Sequence, residues 1–301
     1  MNDLNKHNAV RYSNGPKGTV LLCMEKCGIG DDMHALPVVW QMVRDGLHVV
    51  VNCRPFRNAI WQAVGARVQN EREPFGLVWS ITHEHLYERI ISLAHWGGWE
   101  CGELGYHTQG TIEQFAEIVG HRVPDTFSWL DVLRPKAHNG EPYVLFNPHS
   151  VEHWRTLPPE QADRVERELL MQYGAVRRMG ATECATVEEL FALINGASLV
   201  VTVEGGVSNI AGAFGRDVVV LTGMTDIGAT MEQYTKYLPT WSPVEVRGAT
   251  VYGCNAPCYR QESRGFINGK CCGVSDEPLC LARLDIDLIA EATQAFHNIG
   301  A

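Results

Sequence analysis

The sequence predicts an α/β protein built from two doubly wound parallel-sheet domains. Three observations indicate this class: short apolar runs alternate with helical patterns, the alternation starts twice, and a polar stretch with two prolines and one glycine separates the two series. A strand, a glycine loop, a helix and a second strand form a βαβ unit, whose strands are parallel with a right-handed crossover. We therefore expect ligands at the carboxyl ends of the strands, in a cleft between the two domains.

Length and composition agree with a globular two-domain protein. The chain has 301 residues, 45% of them hydrophobic and 20% charged, which excludes disordered, collagen-like and coiled-coil proteins. Domains usually hold roughly 100–200 residues, so the length favours two of them. The formal charge is −10, which argues against a dedicated nucleic-acid binder and a polybasic membrane anchor, because both need clustered Lys and Arg.

The N-terminus and the apolar runs indicate the compartment. Residues 1–18 are polar and contain no apolar stretch of the kind found in secretory signals. No segment approaches the roughly 20 apolar residues that span a bilayer. We therefore expect a cytoplasmic protein with at most peripheral membrane contact, in which the ten cysteines are mostly reduced.

The first series of elements follows residues 1–17, which are interpreted as a loose leader. Residues 19–23 form an apolar run typical of a strand, and the helical spacing that follows the glycine loop ends at Asp45 and Gly46. A second apolar strand at 47–52 completes the βαβ unit. The later elements expected in this half are helices at 60–64, 83–94 and 111–119, a strand at 77–81 and a glycine- and aromatic-rich loop at 96–110.

The second series starts after the polar linker at 134–142. A strand at 143–147 precedes a helix whose first residues are Pro158 and Pro159, and a helix start tolerates proline. Thr186 and Glu189 have the spacing of a capping box, which predicts another helix start. The other expected elements are strands at 175–179, 198–203 and 217–222, a helix at 206–214, a loop-like stretch at 250–280 and an amphipathic helix at 285–296.

The first loop after a predicted strand carries a candidate carboxylate. Gly28 and Gly30 let the backbone turn sharply, and Asp31 stands where the strand passes into the helix. Asp is also common at helix starts, so the residues alone leave Asp31 as either a cap or a functional group. His34 follows on the same helix and is a candidate on the acceptor side.

The second loop contains two adjacent glycines, Gly205 and Gly206, which lead directly into a helix. Free amides and the helix dipole make such an N-terminus an anion site, and Ser208 adds a hydroxyl. The alternative is that the glycines only shape the turn. The residues alone leave both readings open.

Four segments together resemble glycosyltransferase family 9, the ADP-heptose:lipopolysaccharide heptosyltransferases. GIGDDMHALPVVWQMVRDG at 28–46 is similar to the family's first signature, a Gly-Asp followed by a Leu-Pro. LVVTVEGGVSNIAGAFGRDVVVLTGMTD at 199–226 resembles its second signature. NPHSVEHWRTLPPE at 147–160 resembles the segment with a basic residue, and CNAPC at 254–258 resembles the Cys-x-x-Pro-Cys ending. Their order and spacing fit over about residues 20–285.

This resemblance implies a GT-B fold of two Rossmann-like domains and an inverting transfer that uses no metal and no cofactor beyond the nucleotide-sugar co-substrate. By matched position, Asp31 is the catalytic base and Arg155 contacts the donor phosphates. The other implied donor-binding residues are Glu204, Gly205, Gly206, Val207, Ser208 and Asn209.

The resemblance also assigns roles to the predicted domains. Residues 1–138 become an acceptor-side domain that receives a glycan or glycolipid, and residues 139–284 a nucleotide-sugar-binding domain. The closing helix at 285–301 is expected to pack back on the N-terminal domain.

The chain departs from the family pattern around the donor sugar. Glu204 replaces Asp, Gly205 replaces Thr or Ser, and Asn209 replaces His. Further replacements are Asp217 and Met224 for prolines and Leu157 for a Trp.

An ADP-heptose-like donor and a lipopolysaccharide or other surface-glycan acceptor are favoured. Three alternatives stay open: a degenerate nucleotide-sugar-binding protein, a GT-B nucleotide-sugar epimerase, and a transferase acting on a modified nucleic-acid base. The oligomeric state also stays open.

The cysteines near the C-terminus are interpreted as buried or unpaired thiols, with zinc ligation and disulfides as alternatives. Only the first pair has a gap typical of zinc sites. The residues concerned are Cys254, Cys258, Cys271, Cys272 and Cys280. Asp285 and Asp287 occupy the first turn of a predicted helix, where acids favour the dipole, so we do not expect a metal there.

Aromatic and histidine side chains complete the candidates. Trp96, Trp99 and Tyr106 either stack on a sugar acceptor or anchor an ordinary loop. The histidines interpreted as surface or cleft residues are His83, His85, His149 and His153.

Overall fold

The computed structural model of the chain has two compact units. The residues that the structure describes are 10–24, 27–70, 84–92, 111–126, 128–135, 140–150, 155–180, 184–223, 231–236, 238, 241–248 and 279–297. Described residues up to Arg134 belong to the first unit, together with Thr186–Glu188, and the other described residues from Pro135 onward belong to the second.

A five-stranded sheet forms the centre of the first unit, in the order β1-β5-β2-β3-β4. Strands β5, β2, β3 and β4 are parallel to one another, and β1 pairs antiparallel with β5 at the edge. The chain runs from β2 outward to β4 and returns to the other side of β2 as β5, so the strand order reverses there. The strands are β1 (Val10–Tyr12), β2 (Thr19–Cys23), β3 (His48–Asn52), β4 (Arg67–Gln69) and β5 (Arg89–Ser92).

Helices connect and cover this sheet. Helix α1 follows β2 and buries an apolar face that includes Met33, Leu36 and Val39. Its first turn contains Asp31 and Asp32, whose charges suit the positive end of the helix dipole. The helices of the unit are α1 (Ile29–Arg44), α2 (Asn58–Ala63) and α3 (Thr111–Val119), with 3₁₀ turns at Pro55–Arg57, Glu84–Leu86 and Ser128–Val132.

The second unit has a five-stranded sheet that is parallel throughout, in the order β10-β9-β8-β6-β7. The order reverses between β6 and β8, where Asn147 lies opposite Thr202. All five residues of β8 and of β9 are buried, as expected for parallel strands covered on both faces. The strands are β6 (Val144–Asn147), β7 (Val176–Arg178), β8 (Leu199–Val203), β9 (Val218–Thr222) and β10 (Val244–Arg247).

The helices of the second unit bury one apolar cluster against this sheet. It contains Phe146, Leu169, Val201, Leu221 and Ile289, among other residues. The helices are α4 (Pro159–Tyr173), α5 (Val187–Gly196), α6 (Gly206–Ala213), α7 (Glu232–Thr235), α8 (Leu279–Ala282) and α9 (Ile286–His297). Among the described residues, no helix is both long enough and apolar enough to cross a membrane.

Helix α9 packs within the second unit. Tyr173 Oη donates a hydrogen bond to the carbonyl oxygen of Thr293 at 2.6 Å, and Gln161 Nε2 donates to the carbonyl oxygen of Leu284 at 2.7 Å. Ile289 lies in the apolar cluster of this unit. The structure thus shows contacts of α9 with α4 and with the second sheet. The expectation that residues 285–301 pack on the N-terminal domain stays a prediction.

Local patterns miss several short elements. Strand β1 lies in the stretch interpreted as a loose leader, and β4 and β10 have only three or four residues, too few for a recognisable period. The helix expected at 83–94 is wrong. That stretch contains β5, whose Ile90 and Ile91 pair with strands on both sides, and strand pairing outweighs local helical spacing. The strand expected at 77–81 lies outside the described residues.

Candidate functional site

The candidate residues lie at the carboxyl end of each sheet, where the strand order reverses. This is the edge at which open α/β sheets bind ligands. In the first unit it carries a cluster of Asp31, Asp32 and Arg57, called the first cluster below. In the second unit it carries Arg155 and Glu204 with the N-terminal turn of α6, called the second cluster.

Asp31 occupies the first turn of α1 and makes a capping bond there. Its Oδ2 accepts a hydrogen bond from the Gly28 amide at 2.6 Å. The side chain is partly exposed, whereas the next residue, Asp32, is buried. Capping is therefore one role of Asp31. The bond also fixes the direction of its carboxylate, as a general base requires.

Asp32 and Arg57 form a buried ion pair beside Asp31. Arg57 Nη1 lies 2.7 Å from Asp32 Oδ1, and the two side chains are 5% and 0% exposed. Arg57 Nη2 donates a second bond to the carbonyl oxygen of Met24 at 2.6 Å. Sequence reasoning missed this pair, because Arg57 is 25 residues away along the chain.

Burial dominates the electrostatics of the first cluster. It raises the pKa of the Asp32 carboxyl to about 7; Arg57 opposes the rise and Asp31 adds to it. Burial also raises the pKa of the Cys53 thiol to about 12 and that of the Cys27 thiol well above its usual value. Both thiols therefore stay protonated at neutral pH. Among the described residues, Arg57 and Asp31 are the charged groups that act on Asp32.

Arg155 and Glu204 form the charged part of the second cluster. Arg155 Nη1 lies 2.7 Å from Glu204 Oε2, with side chains 15% and 5% exposed. Glu204 directly follows β8 and precedes α6. The predicted phosphate-binding cation is thus held beside a helix N-terminus by a carboxylate that the resemblance places near the donor sugar.

The turn into α6 requires a glycine at its first position. Gly205 has φ of +155°, a conformation that a side chain rarely allows. Its amide donates to Ser208 Oγ at 3.0 Å, and its carbonyl accepts from Asn209 Nδ2 at 3.0 Å. Gly205 stands where the resembled family has Thr or Ser, and its backbone conformation explains why glycine occupies this position. The Asn209 amide donates to the carbonyl oxygen of Gly205 at 3.1 Å. The amides at the very start of a helix have no acceptor within the helix, so the anion site that the sequence predicts at this turn stays a prediction.

A buried polar network supports the loop that carries Arg155. Asn147 Nδ2 donates to Thr202 Oγ1 at 3.0 Å and to the carbonyl oxygen of His149 at 3.0 Å. The Ser150 amide donates to Thr156 Oγ1 at 3.0 Å. Sequence reasoning did not single out Asn147 or Thr202. A polar residue at the end of an otherwise apolar strand is the signal that could have identified them.

Several other candidates are placed by the structure. His34 is buried on α1 with 4% exposed, and Cys280 is buried with 4% exposed in the apolar cluster of the second unit. Asp285 Oδ1 accepts from the Asp287 amide at 3.0 Å, which agrees with a helix-start role. Burial lowers the pKa of His149, and nearby Arg178 adds to the effect.

Some candidates lie outside the described residues. They are Trp96, Trp99, Tyr106, His83, His153, Met224, Cys254, Cys258, Cys271 and Cys272. Within the described ranges, no group of three or more His, Cys, Asp or Glu side chains is arranged to hold a metal ion. Among the cysteines in those ranges, Cys23, Cys53 and Cys280 are buried, and Cys27 and Cys184 are partly buried.

Comparison with solved structures identifies the architecture. The iron-containing dodecameric glycosyltransferase TibC from enterotoxigenic E. coli is 12% identical, with a TM-score of 0.60, covering 97% of this chain and 78% of TibC. The E. coli heptosyltransferase WaaC with ADP is 16% identical, with a TM-score of 0.51, covering 92% of this chain and 99% of WaaC. This chain has the GT-B fold. A glycosyltransferase of family 9 from Veillonella parvula shares the fold at 11% identity, with a TM-score of 0.51 and coverage of 95% and 98%.

Comparison of sequences found no match, in contrast to the comparison of structures. No protein-family model and no curated protein matches the chain. At these identities the structural likeness establishes the GT-B fold, and the activity has to be argued from the site itself.

Proposed function

We propose that this GT-B protein is an inverting glycosyltransferase of family 9, which moves a sugar from a nucleoside-diphosphate sugar to a hydroxyl acceptor. The observation that carries the proposal is the second cluster: a cation, Arg155, beside the N-terminus of α6, at the point where the strand order of the second sheet reverses. A diphosphate suits this combination of amides, dipole and guanidinium.

ADP-heptose is the donor that we favour. The signatures that this chain resembles belong to heptosyltransferases. A TibC structure contains ADP-D-β-D-heptose, and a WaaC structure contains ADP. A lipopolysaccharide or another surface glycan is the favoured acceptor. In this proposal the first unit binds the acceptor and the second binds the donor, with the boundary near residue 138.

The proposed reaction uses one base and one anion site. The acceptor hydroxyl attacks the anomeric carbon from the face opposite the diphosphate and transfers its proton to the Asp31 carboxylate. The bond from the anomeric carbon to the diphosphate oxygen breaks, and negative charge develops on the β-phosphate. Arg155 and the first-turn amides of α6 stabilise that charge where it develops. The anomeric configuration is therefore inverted.

A thermal-shift screen with ADP, GDP, UDP, CMP and dTDP tests the donor part of this proposal. We expect ADP to raise the melting temperature most, because ADP-heptose is the favoured donor. A ligand present at 100 times its dissociation constant stabilises the folded protein by about 2.7 kcal/mol. ADP release from ADP-heptose in the presence of lipopolysaccharide then tests transfer. Binding without transfer would favour a degenerate nucleotide-sugar-binding protein, and interconversion of free nucleotide sugars would favour an epimerase. No response to any nucleotide would contradict the proposal.

We predict that turnover does not require a divalent cation. Arg155 and the α6 amides can neutralise the diphosphate, a task that a metal performs in other transferases. Turnover should be the same after excess EDTA as before it, within a factor of about two. Loss of activity with EDTA that Mg²⁺ or Mn²⁺ restores would refute this. Because TibC is iron-containing, elemental analysis of the purified protein should cover iron as well as zinc.

A further inference from the structure

A single guanidinium joins both ends of the loop between β2 and α1. Arg57 Nη2 donates to the carbonyl oxygen of Met24, which directly follows β2, at 2.6 Å. Its Nη1 lies 2.7 Å from Asp32 Oδ1, in the first turn of α1. Arg57 itself stands outside the loop, directly before α2. One buried side chain thus ties the two ends of the loop together, in addition to backbone hydrogen bonds from the Met24 amide to the Asn52 carbonyl oxygen and from the Cys27 amide to the Met24 carbonyl oxygen.

Asp31 lies inside the segment that Arg57 holds. Its Oδ2 accepts the Gly28 amide at 2.6 Å, and the carbonyl oxygen of Gly28 accepts the Asp32 amide at 3.2 Å. Gly28 therefore links the Asp31 carboxylate to the same helical turn that Arg57 fixes through Asp32. A movement of this loop would redirect the Asp31 carboxylate.

The fold alone does not explain why an ion pair occupies this place. Removing two charges from water costs several kcal/mol per ion by general estimates, and apolar side chains of similar volume often serve stability equally well or better. The cost is visible here, because Asp32 Oδ2 is buried with no hydrogen-bond partner among the described residues. Because stability alone seldom requires a buried ion pair, its place adjacent to the proposed base points to a role in the site.

We propose that Arg57 and Asp32 are positioning residues, which hold the loop after β2 so that the Asp31 carboxylate keeps one orientation toward the acceptor hydroxyl. This inference rests on the proposed function for its catalytic part. Its structural part, the restraint of residues 27–32 by Arg57, stands without that function.

The test replaces the ion pair by apolar side chains in the double variant Arg57→Met/Asp32→Leu. This variant avoids an unpaired buried charge, so it should fold with a melting temperature close to that of the wild type. Turnover of ADP-heptose should fall by about 10- to 100-fold, because small misplacement of a reacting group costs rates of that order. The KM for ADP-heptose should stay within about twofold, since the proposed donor contacts lie in the second unit. Arg57→Lys keeps the positive charge but cannot make the two hydrogen bonds of the guanidinium in the same geometry, so its turnover should lie between that of the double variant and that of the wild type.

Hydrogen exchange and a matched control variant separate positioning from a structural role. Hydrogen exchange of the amides of residues 27–32 should become faster in the double variant, while amides of the second sheet keep their protection. Asp45→Asn is the matched control at the other end of α1, where Asp45 Oδ2 lies 3.1 Å from His121 Nε2, and it should leave turnover and loop exchange unchanged.

The outcomes distinguish this inference from the proposed function. Unchanged exchange at residues 27–32 would overturn the inference, whether or not the protein transfers a sugar. Faster exchange with wild-type turnover would also overturn it, because Asp31 would then not depend on the loop. If the wild-type protein transfers no sugar, the proposed function is overturned. Faster exchange at residues 27–32 in the double variant than in the wild type would then still support the restraint of the loop by Arg57.

Discussion

Asp31→Asn should lower turnover by about 10²- to 10⁴-fold, the usual effect of losing a general base. The amide keeps an oxygen that can accept the Gly28 hydrogen bond, so the start of α1 should remain capped. Donor affinity should persist, because the proposed diphosphate contacts come from the second cluster. Turnover, melting temperature and ADP affinity should be measured on the same preparation.

Asp31→Ala is the control that isolates capping. It removes the base and the cap together, so it should lose about 1 kcal/mol of stability that Asp31→Asn retains. If Asp31 only caps the helix, Asp31→Asn will turn over at close to the wild-type rate, and the base must then be sought elsewhere.

Arg155→Met should lower both the free energy of unfolding and the affinity for ADP, each more than Asp31→Asn does. It removes the cation that pairs with Glu204, whose side chain is 5% exposed, and breaking a buried pair from one side typically costs about 3–5 kcal/mol. It also removes a charge-assisted contact to the diphosphate. Such a hydrogen bond contributes about 1.5–3 kcal/mol, which corresponds to roughly 10- to 150-fold weaker ADP binding. Chemical denaturation and calorimetric titration with ADP measure the two effects.

The double variant Arg155→Met/Glu204→Leu separates stability from binding. It should recover most of the lost stability, because no unpaired charge remains, while ADP binding should stay weak. Arg247→Met removes a partly exposed ion pair with Glu245 on β10 of the same unit, and it should cost about 1 kcal/mol without weakening ADP binding. Wild-type ADP affinity in the double variant would exclude Arg155 from the donor site.

The architecture follows from patterns within short stretches of the sequence. Helix α1 and strands β2, β3, β8 and β9 were predictable, because apolar residues recur at the spacing that buries one face of a helix or both faces of a parallel strand. Short or edge elements were not, because β1 and β4 acquire their structure from the neighbouring strand in the sheet.

The candidate site divides in the same way. The glycine loops at Gly28 and Gly205 are visible in the sequence because each lies between a predicted strand and a predicted helix, and Asp31 is visible because it lies where the first of these helices begins. The partners of the charged residues are not visible. Arg57 lies 25 residues from Asp32, and Arg155 lies 49 residues from Glu204.

The sequence by itself thus determined a doubly wound α/β chain with two glycine loops at the ends of strands. Only the tertiary structure decided that Asp32 is buried against Arg57, that Glu204 pairs with Arg155, and that Asn147 bonds Thr202 across the reversal of strand order. The physical reason is range. Periodicity records which face of an element avoids water, and that depends on neighbours a few residues away. Which charges meet depends on the order and register of strands, which bring together residues that are distant along the chain.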